Sequence, residues 1–214
     1  MTKQGRFIVV EGLEGAGKST AIETIKSCLT DVVPELILTR EPGGTRVGEA
    51  IRQIIKEKVE GETLDPRAEL LLLYAARVQL VEDLIRPALK RGAWVLADRF
   101  ELSSFAYQGW GRGLDIKMIS QLSDFCLQAL KPDLIFYLDI EPELGLLRVK
   151  KRGEMDRIEE ETLSFFTQIR QGYLQMIQPM QNVVSIDAGQ AMETVQESIL
   201  TKLKSFIADN AIAQ

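Results

Sequence analysis

The sequence has no histidine, only two cysteines, and no apolar run of membrane-spanning length. Without histidine, and with so little cysteine, no Cys/His cluster exists that could hold a metal ion. Cys28 and Cys126 sit in apolar helical patterns and read as reduced core residues, not as a disulfide framework. The apolar stretch at Leu70–Leu73 is interrupted by Arg77 and falls well short of the ~20 residues that cross a bilayer. The first strand pattern begins so close to Met1 that no signal peptide is expected, and the expected compartment is the cytoplasm. Excess positive charge is lacking as well: 26 Lys and Arg stand against 31 Asp and Glu, a net charge of −5. That balance argues against a general nucleic-acid binder. Any anionic ligand must be held by local basic clusters.

What is present is a phosphate-binding pattern near the start. A short apolar run, Phe7-Ile8-Val9-Val10-Glu11, meets Gly12-Leu13-Glu14-Gly15-Ala16-Gly17-Lys18-Ser19-Thr20, and a helical pattern follows. Gly12, four residues, then Gly17-Lys18-Ser19 is the P-loop spacing; it is not the G-x-G-x-x-G spacing of a dinucleotide site. The glycines let backbone N–H groups converge on a triphosphate, and the helix N-terminus adds partial positive charge. Lys18 can reach the β- and γ-phosphates, and the Ser19 hydroxyl can ligate Mg²⁺.

Along the chain, strands are expected at Arg6–Glu11, Leu36–Arg40, Trp94–Ala97, Leu134–Asp139 and Val183–Ile186. Helices are expected at Lys18–Leu29, from Thr45 as cap to about Lys58 with Val47, Ile51, Ile54 and Ile55 as its apolar side, and at Pro66–Lys90 with a kink near Pro87. A short helix is expected at Ser103–Gln108, then a flexible loop at Gly109, Gly111 and Gly113. Further helices are expected from Asp115 to about Leu130, Pro142–Arg152, about Arg157–Met180 and Met192–Ala208. The alternation predicts one α/β domain over 1–214, a five-stranded parallel sheet with helices on both faces. Ligands then sit beyond the carboxyl ends of the strands, at the P-loop, Arg40-Glu41-Pro42, Asp98-Arg99 and Asp139.

The guanine-reading Asn-Lys-x-Asp segment of a regulatory GTPase and the Ser-Gly-Gly signature of a transporter ATPase are both absent. Arginines after strands two and three favour a small-molecule kinase with a second anionic substrate. A phosphate-monoester acceptor would need no general base, which suits a chain without histidine; its second pKa is about 6. A deoxynucleoside kinase would need a placed carboxylate, and Glu41 or Asp98 could serve, so composition leaves that alternative open. A nucleotide-binding regulator without turnover is a third reading.

Six segments decide a resemblance: Glu11–Ser19, Thr39-Arg40-Glu41-Pro42-Gly43-Gly44-Thr45, Tyr74-Ala75-Ala76-Arg77, Asp98-Arg99, Ser103–Gly109 and Asp156-Arg157-Ile158-Glu159. Together they resemble thymidylate kinase of the bacterial type over essentially the whole chain. The resemblance implies the P-loop NTPase fold, with a small lid at about 148–158. It also implies phosphoryl transfer from ATP to dTMP, giving ADP and dTDP in dTTP synthesis, with Mg²⁺ and in a homodimer. No nucleic acid or membrane partner is implied.

The resemblance assigns residues as follows. Gly12–Thr20 with Arg148 and Arg152 hold ATP, and Ser19 and Asp98 serve the metal. Lys18, Arg99 and Arg152 act on the transferring group. Arg99 grips the acceptor phosphate, against a plain salt bridge to Asp98 or Glu101, and Arg40 is a second arginine there, against a surface ion pair. Glu14 reaches the acceptor's 3′-hydroxyl. Glu41, Pro42 and Ser103 border the acceptor. Arg77 donates to thymine O4, Ser104 and Gln108 read the thymine edge, and Tyr107 lies beside C2′. The family's stacking phenylalanine is replaced by Leu73, so either Leu73 forms a plain apolar floor or Tyr74 shifts to compensate. The family's bacterial subtype lacks a P-loop arginine, as at Gly15 here, and its lid supplies one; Arg148 and Arg152 lie in the basic stretch that would do so. Asp156-x-x-Glu159 reads independently as a capping box for the next helix.

Overall fold

The computed structural model describes residues 5–153 and 155–212, with side chains through 209. Five parallel strands form one sheet in the order β2-β3-β1-β4-β5. They are β1 (Phe7–Gly12), β2 (Leu36–Arg40), β3 (Trp94–Asp98), β4 (Leu134–Asp139) and β5 (Val183–Asp187). Every residue of β1 is buried, so both faces of the sheet centre are covered, as a parallel sheet requires. The edge strands β2 and β5 are only partly buried.

The helices are α1 (Lys18–Leu29), α2 (Arg46–Lys56), α3 (Pro66–Leu80), α4 (Arg86–Lys90), α5 (Glu101–Ser104), α6 (Ile116–Leu127), α7 (Pro142–Arg152), α8 (Leu163–Ile177) and α9 (Met192–Ile212). Bounds of α1, β2, β4 and α7 coincide with the expectation, because each is bracketed by local signals: a glycine or proline at one end and an apolar period within. Thr45 caps α2 by accepting from Gly48 N at 3.0 Å. Of the four expected apolar positions on α2, however, only Ile51 and Ile55 are buried; Val47 and Ile54 are about half exposed, so the core stripe is narrower than expected.

Three local expectations are corrected. The break in the long helix is a π-helical segment at Val81–Ile85, one turn before Pro87, so the chain has already rewound when the proline arrives. The expected flexible loop is ordered: Phe105–Gly111 is π-helical, with Gly109 buried. A Cβ on Gly111 would lie 2.6 Å from the Phe165 ring, so glycine here serves close packing against α8, not mobility. Finally, Asp156 and Glu159 do form a reciprocal capping box. Asp156 Oδ1 accepts from Glu159 N at 3.0 Å, and Glu159 Oε2 accepts from Asp156 N at 3.1 Å. It caps only a turn, and α8 starts afresh at Leu163, capped by Thr162.

Parallel register sets the carboxyl ends side by side: Val10 is level with Asp98, and Asp98 with Arg40. The three loops that leave these ends therefore converge on one rim.

Candidate active site

A cleft of about 550 Å³ opens at that rim. The P-loop forms one end. Lys18 Nζ donates to the carbonyls of Gly12 and Leu13 at 3.1 and 2.8 Å, which holds the ammonium over the loop. Burial, followed by the nearby Arg99 charge, lowers its pKa to about 8. Gly15, Gly17, Lys18 and Ser19 line the cleft, whereas Leu13 and Ala16 turn their side chains into the interior. Of the predicted ATP contacts, Leu13, Ala16 and Thr20 thus offer backbone or nothing to the cleft wall. Gly15 explains its own identity: a Cβ there would lie 2.2 Å from the carbonyl oxygen of Gly145 on α7, at φ +74. An arginine at 15 would expel α7.

α7 brings Arg148 and Arg152 to the same cleft. Arg148 Nη1 donates to Gly15 O at 3.3 Å and to Ala188 O at 3.1 Å. Arg152 is paired with the buried carboxylate of Glu159 while remaining largely exposed. Arg157, from the same basic stretch, turns back to Ile55 O and to Glu69. Of the predicted lid segment, Glu154 lies outside the described residues.

In the middle of the cleft, Arg99 holds a left-handed backbone at φ 70. Buried Glu11 secures this turn, accepting from Phe100 N at 2.9 Å and from the Ser103 hydroxyl at 2.7 Å. The guanidinium of Arg99 donates to Gly12 O, Ser103 Oγ, Glu14 and Tyr107 Oη, so its ion pair is with Glu14 at 2.7 Å, not with Asp98 or Glu101. Tyr107 Oη also donates to Glu14, at 2.6 Å. Asp98 Oδ1 is buried without a protein partner, and Asp98 lines the cleft with Ser19. An unpartnered hard oxygen in the same cleft as a hydroxyl fits a Mg²⁺ that takes most of its ligands from phosphates and water. Among the described residues no group of three or more acidic or sulfur ligands could hold a metal alone.

Arg77, from α3, closes the far end at 2% exposure. Its Nε donates to Glu41 at 2.6 Å, and its Nη2 to Ser104 Oγ at 2.9 Å and to Phe100 O at 3.3 Å. Burial pushes the Glu41 carboxyl up to about 7 despite the arginine. The Tyr74 ring supports the guanidinium from behind, 4.6 Å from it. Arg77 Nη1 and Gln108 Oε1 remain, one donor and one acceptor, without protein partners, and both residues line the cleft.

Two expected assignments shift. Tyr74 is buried with Leu70, Ile119 and Cys126 and does not line the cleft; Leu73 does, so the apolar floor is Leu73. Arg40 does not line the cleft either. It is about half exposed and paired with Glu49 at 2.8 Å. Arg52 lines the cleft instead, donating to Pro42 O at 3.0 Å. Sequence reasoning missed Arg52, Phe100, Glu69 and Glu11. A glutamate at the end of a wholly apolar strand was a visible signal for Glu11; nothing local marked the others.

A family model described as thymidylate kinase matches residues 10–199. The chain belongs to the thymidylate kinase family. It is 52% identical over 206 residues to the thymidylate kinases of Legionella pneumophila strains Corby and Paris, covering 96% of this chain and 97% of each relative. Within the family's P-loop architecture, the five-stranded parallel sheet and the cleft at its carboxyl rim take their expected places. No helix among the described residues is long and apolar enough to cross a membrane.

Proposed function

We propose that this thymidylate kinase family member transfers the γ-phosphoryl group of ATP to dTMP, giving ADP and dTDP. The observation that carries the reading is the pair of unpartnered groups at the far end of a P-loop cleft. The 4-oxo group and the ring N3–H of thymine complement the Arg77 donor and the Gln108 acceptor. Cytosine presents the reverse polarity at both positions.

The acceptor phosphate is largely dianionic near neutral pH, its second pKa being about 6, and needs no base to attack. Catalysis is then positioning and charge neutralisation. Lys18 binds the transferring phosphate. Arg99 and Arg52 receive the acceptor phosphate, Arg99 leaving Glu14, whose carboxylate turns to the sugar hydroxyl. Tyr107 packs beside the sugar. Arg152 leaves Glu159 to meet the transferring group, with residues 148–158 acting as the lid on one domain. Asp98 and Ser19 would hold Mg²⁺, which when bound neutralises phosphate charge.

The free cysteines Cys28 and Cys126 fit a cytoplasmic enzyme of dTTP synthesis. Exposed Leu71 on α3 and Met118 and Phe125 on α6, the last 79% exposed, support a homodimer through these adjoining helices.

A coupled ADP-release assay with ATP and Mg²⁺ and each of dTMP, dUMP, CMP, AMP and thymidine tests the reading. Turnover with dTMP is expected. Turnover with thymidine alone would select a nucleoside kinase, and none with any acceptor would sink the kinase reading. Lys18→Ala should lower turnover by roughly 10²-fold or more.

A further inference from the structure

Glu69 sits on α3 two turns before Arg77 and is 1% exposed. No step above uses it, yet it is a hub. Gln108 Nε2 donates to its Oε1 at 2.7 Å. Its other oxygen is paired with Arg157, and Arg112 Nε lies 3.5 Å from Oε1. Glu69 faces two guanidinium groups and the Gln108 amide, all donors, so its oxygens serve as acceptors.

This settles which way the Gln108 amide points. An amide has one donor end and one acceptor end, and Glu69 can be served only by the donor end. The Gln108 carbonyl oxygen must therefore face away from Glu69, and it is the atom left unpartnered in a residue that lines the cleft. A glutamine free to rotate would match a ring N–H or a ring nitrogen lone pair equally well. A glutamine held by Glu69 matches the N–H alone. Rotating it would set the carbonyl against the carboxylate and leave a buried acceptor unpaired.

The geometry points to Glu69 as a specificity-determining positioning residue: by fixing the amide of Gln108 it makes the kinase accept a 4-oxo pyrimidine and reject a 4-amino one. The inference rests on the proposed placement of the base between Arg77 and Gln108. The same carboxylate fastens Arg157, just beyond the lid helix, so the base-reading amide and the lid-side turn share one anchor.

The test compares kcat/KM for dTMP and for 5-methyl-dCMP, which differ only at the 4-substituent and N3. Glu69→Gln frees the Gln108 amide to rotate, and the dTMP preference should fall roughly tenfold or more; the lost charge facing Arg157 and Arg112 acts on both acceptors alike and cancels in the ratio. Gln108→Met, which has no amide to orient, should lower the preference similarly. The double variant should lower the preference no further, because Glu69 acts on the base only through Gln108. An unchanged preference in folded Glu69→Gln, or additive losses in the double variant, would overturn the inference. Should Glu69→Gln not fold, Glu69→Asp keeps a negative charge facing Arg157 and Arg112 while shortening the reach to Gln108, and the same ratio decides. A wild-type enzyme that turns over neither nucleotide removes the placement of the base, and the inference with it; wild-type turnover of dTMP with an unmoved ratio in the variants removes the inference alone.

Discussion

The contact between α7 and the P-loop yields a prediction with a magnitude. Gly145 lies on the same face of α7 as Arg148 and Arg152, one and two turns before them. A Cβ added at Gly145 would stand 2.7 Å from the carbonyl oxygen of Glu14, about 0.7 Å inside the 3.4 Å at which ordinary contact begins. The obstructing atom is backbone of a loop pinned by Lys18 and Arg99 through Gly12 O, so it cannot swing away as a side chain would. Gly145→Ala must therefore tilt or lift α7, at a cost of about 1–3 kcal/mol in stability. The larger effect falls on activity. Arg148 and Arg152 ride on α7, and a displacement near 1 Å of a positioning group can cost about 10²-fold in rate. We expect kcat to fall roughly 10- to 100-fold with a raised KM for ATP. Calorimetric affinity for dTMP should stay near wild type, because Arg77, Ser104 and Gln108 sit on α3 and the 101–111 segment. Gly61→Ala is the control: at φ +79 it strains the backbone, but nothing lies within 4 Å of the added Cβ. ADP release across ATP and dTMP concentrations, with thermal melts, decides the matter. A folded Gly145→Ala enzyme with wild-type kcat and ATP KM would show that close seating of α7 is not needed. A loss confined to dTMP affinity would equally refute the reasoning.

Other perturbations probe separate parts of the cleft. Asp98→Asn should raise the Mg²⁺ concentration for half-maximal rate by about 10- to 100-fold; an unchanged Mg²⁺ titration would remove Asp98 from the metal site. Lys18, held down to about 8 by burial, is charged below that pH, and a bound triphosphate raises its pKa. ATP binding should thus take up a proton near pH 8 and weaken as pH rises through it, which calorimetry in buffers of different ionisation enthalpy can read; zero proton uptake there would contradict the assigned contact. Leu73→Phe, on the cleft floor, should keep or tighten dTMP affinity. A large calorimetric loss would show that the base lies elsewhere.

The amino-acid sequence by itself determined the elements and the phosphate end of the site. Strand runs, caps and the Gly12–Ser19 spacing are local codes, and a local code is complete within one stretch of chain. The residues that face the ligand across the cleft were decided elsewhere. Leu73 and Tyr74 are neighbours of similar apolar character, and only the packing of α3 against α6 sends the tyrosine inward beneath Arg77. Arg40 ends β2 and Arg52 lies on α2 just beyond it; Glu49 draws the first outward, and Pro42 O steadies the second in the cleft. The glycine at 111 reads as a loop because its partner surface, Phe165 on α8, comes from over fifty residues away. Gln108 was legible as a polar group on the right face, but its amide direction depends on a carboxylate 39 residues earlier in the chain. Periodicity says which face a side chain takes. Which end of a polar group meets the ligand depends on the partner that tertiary structure puts behind it.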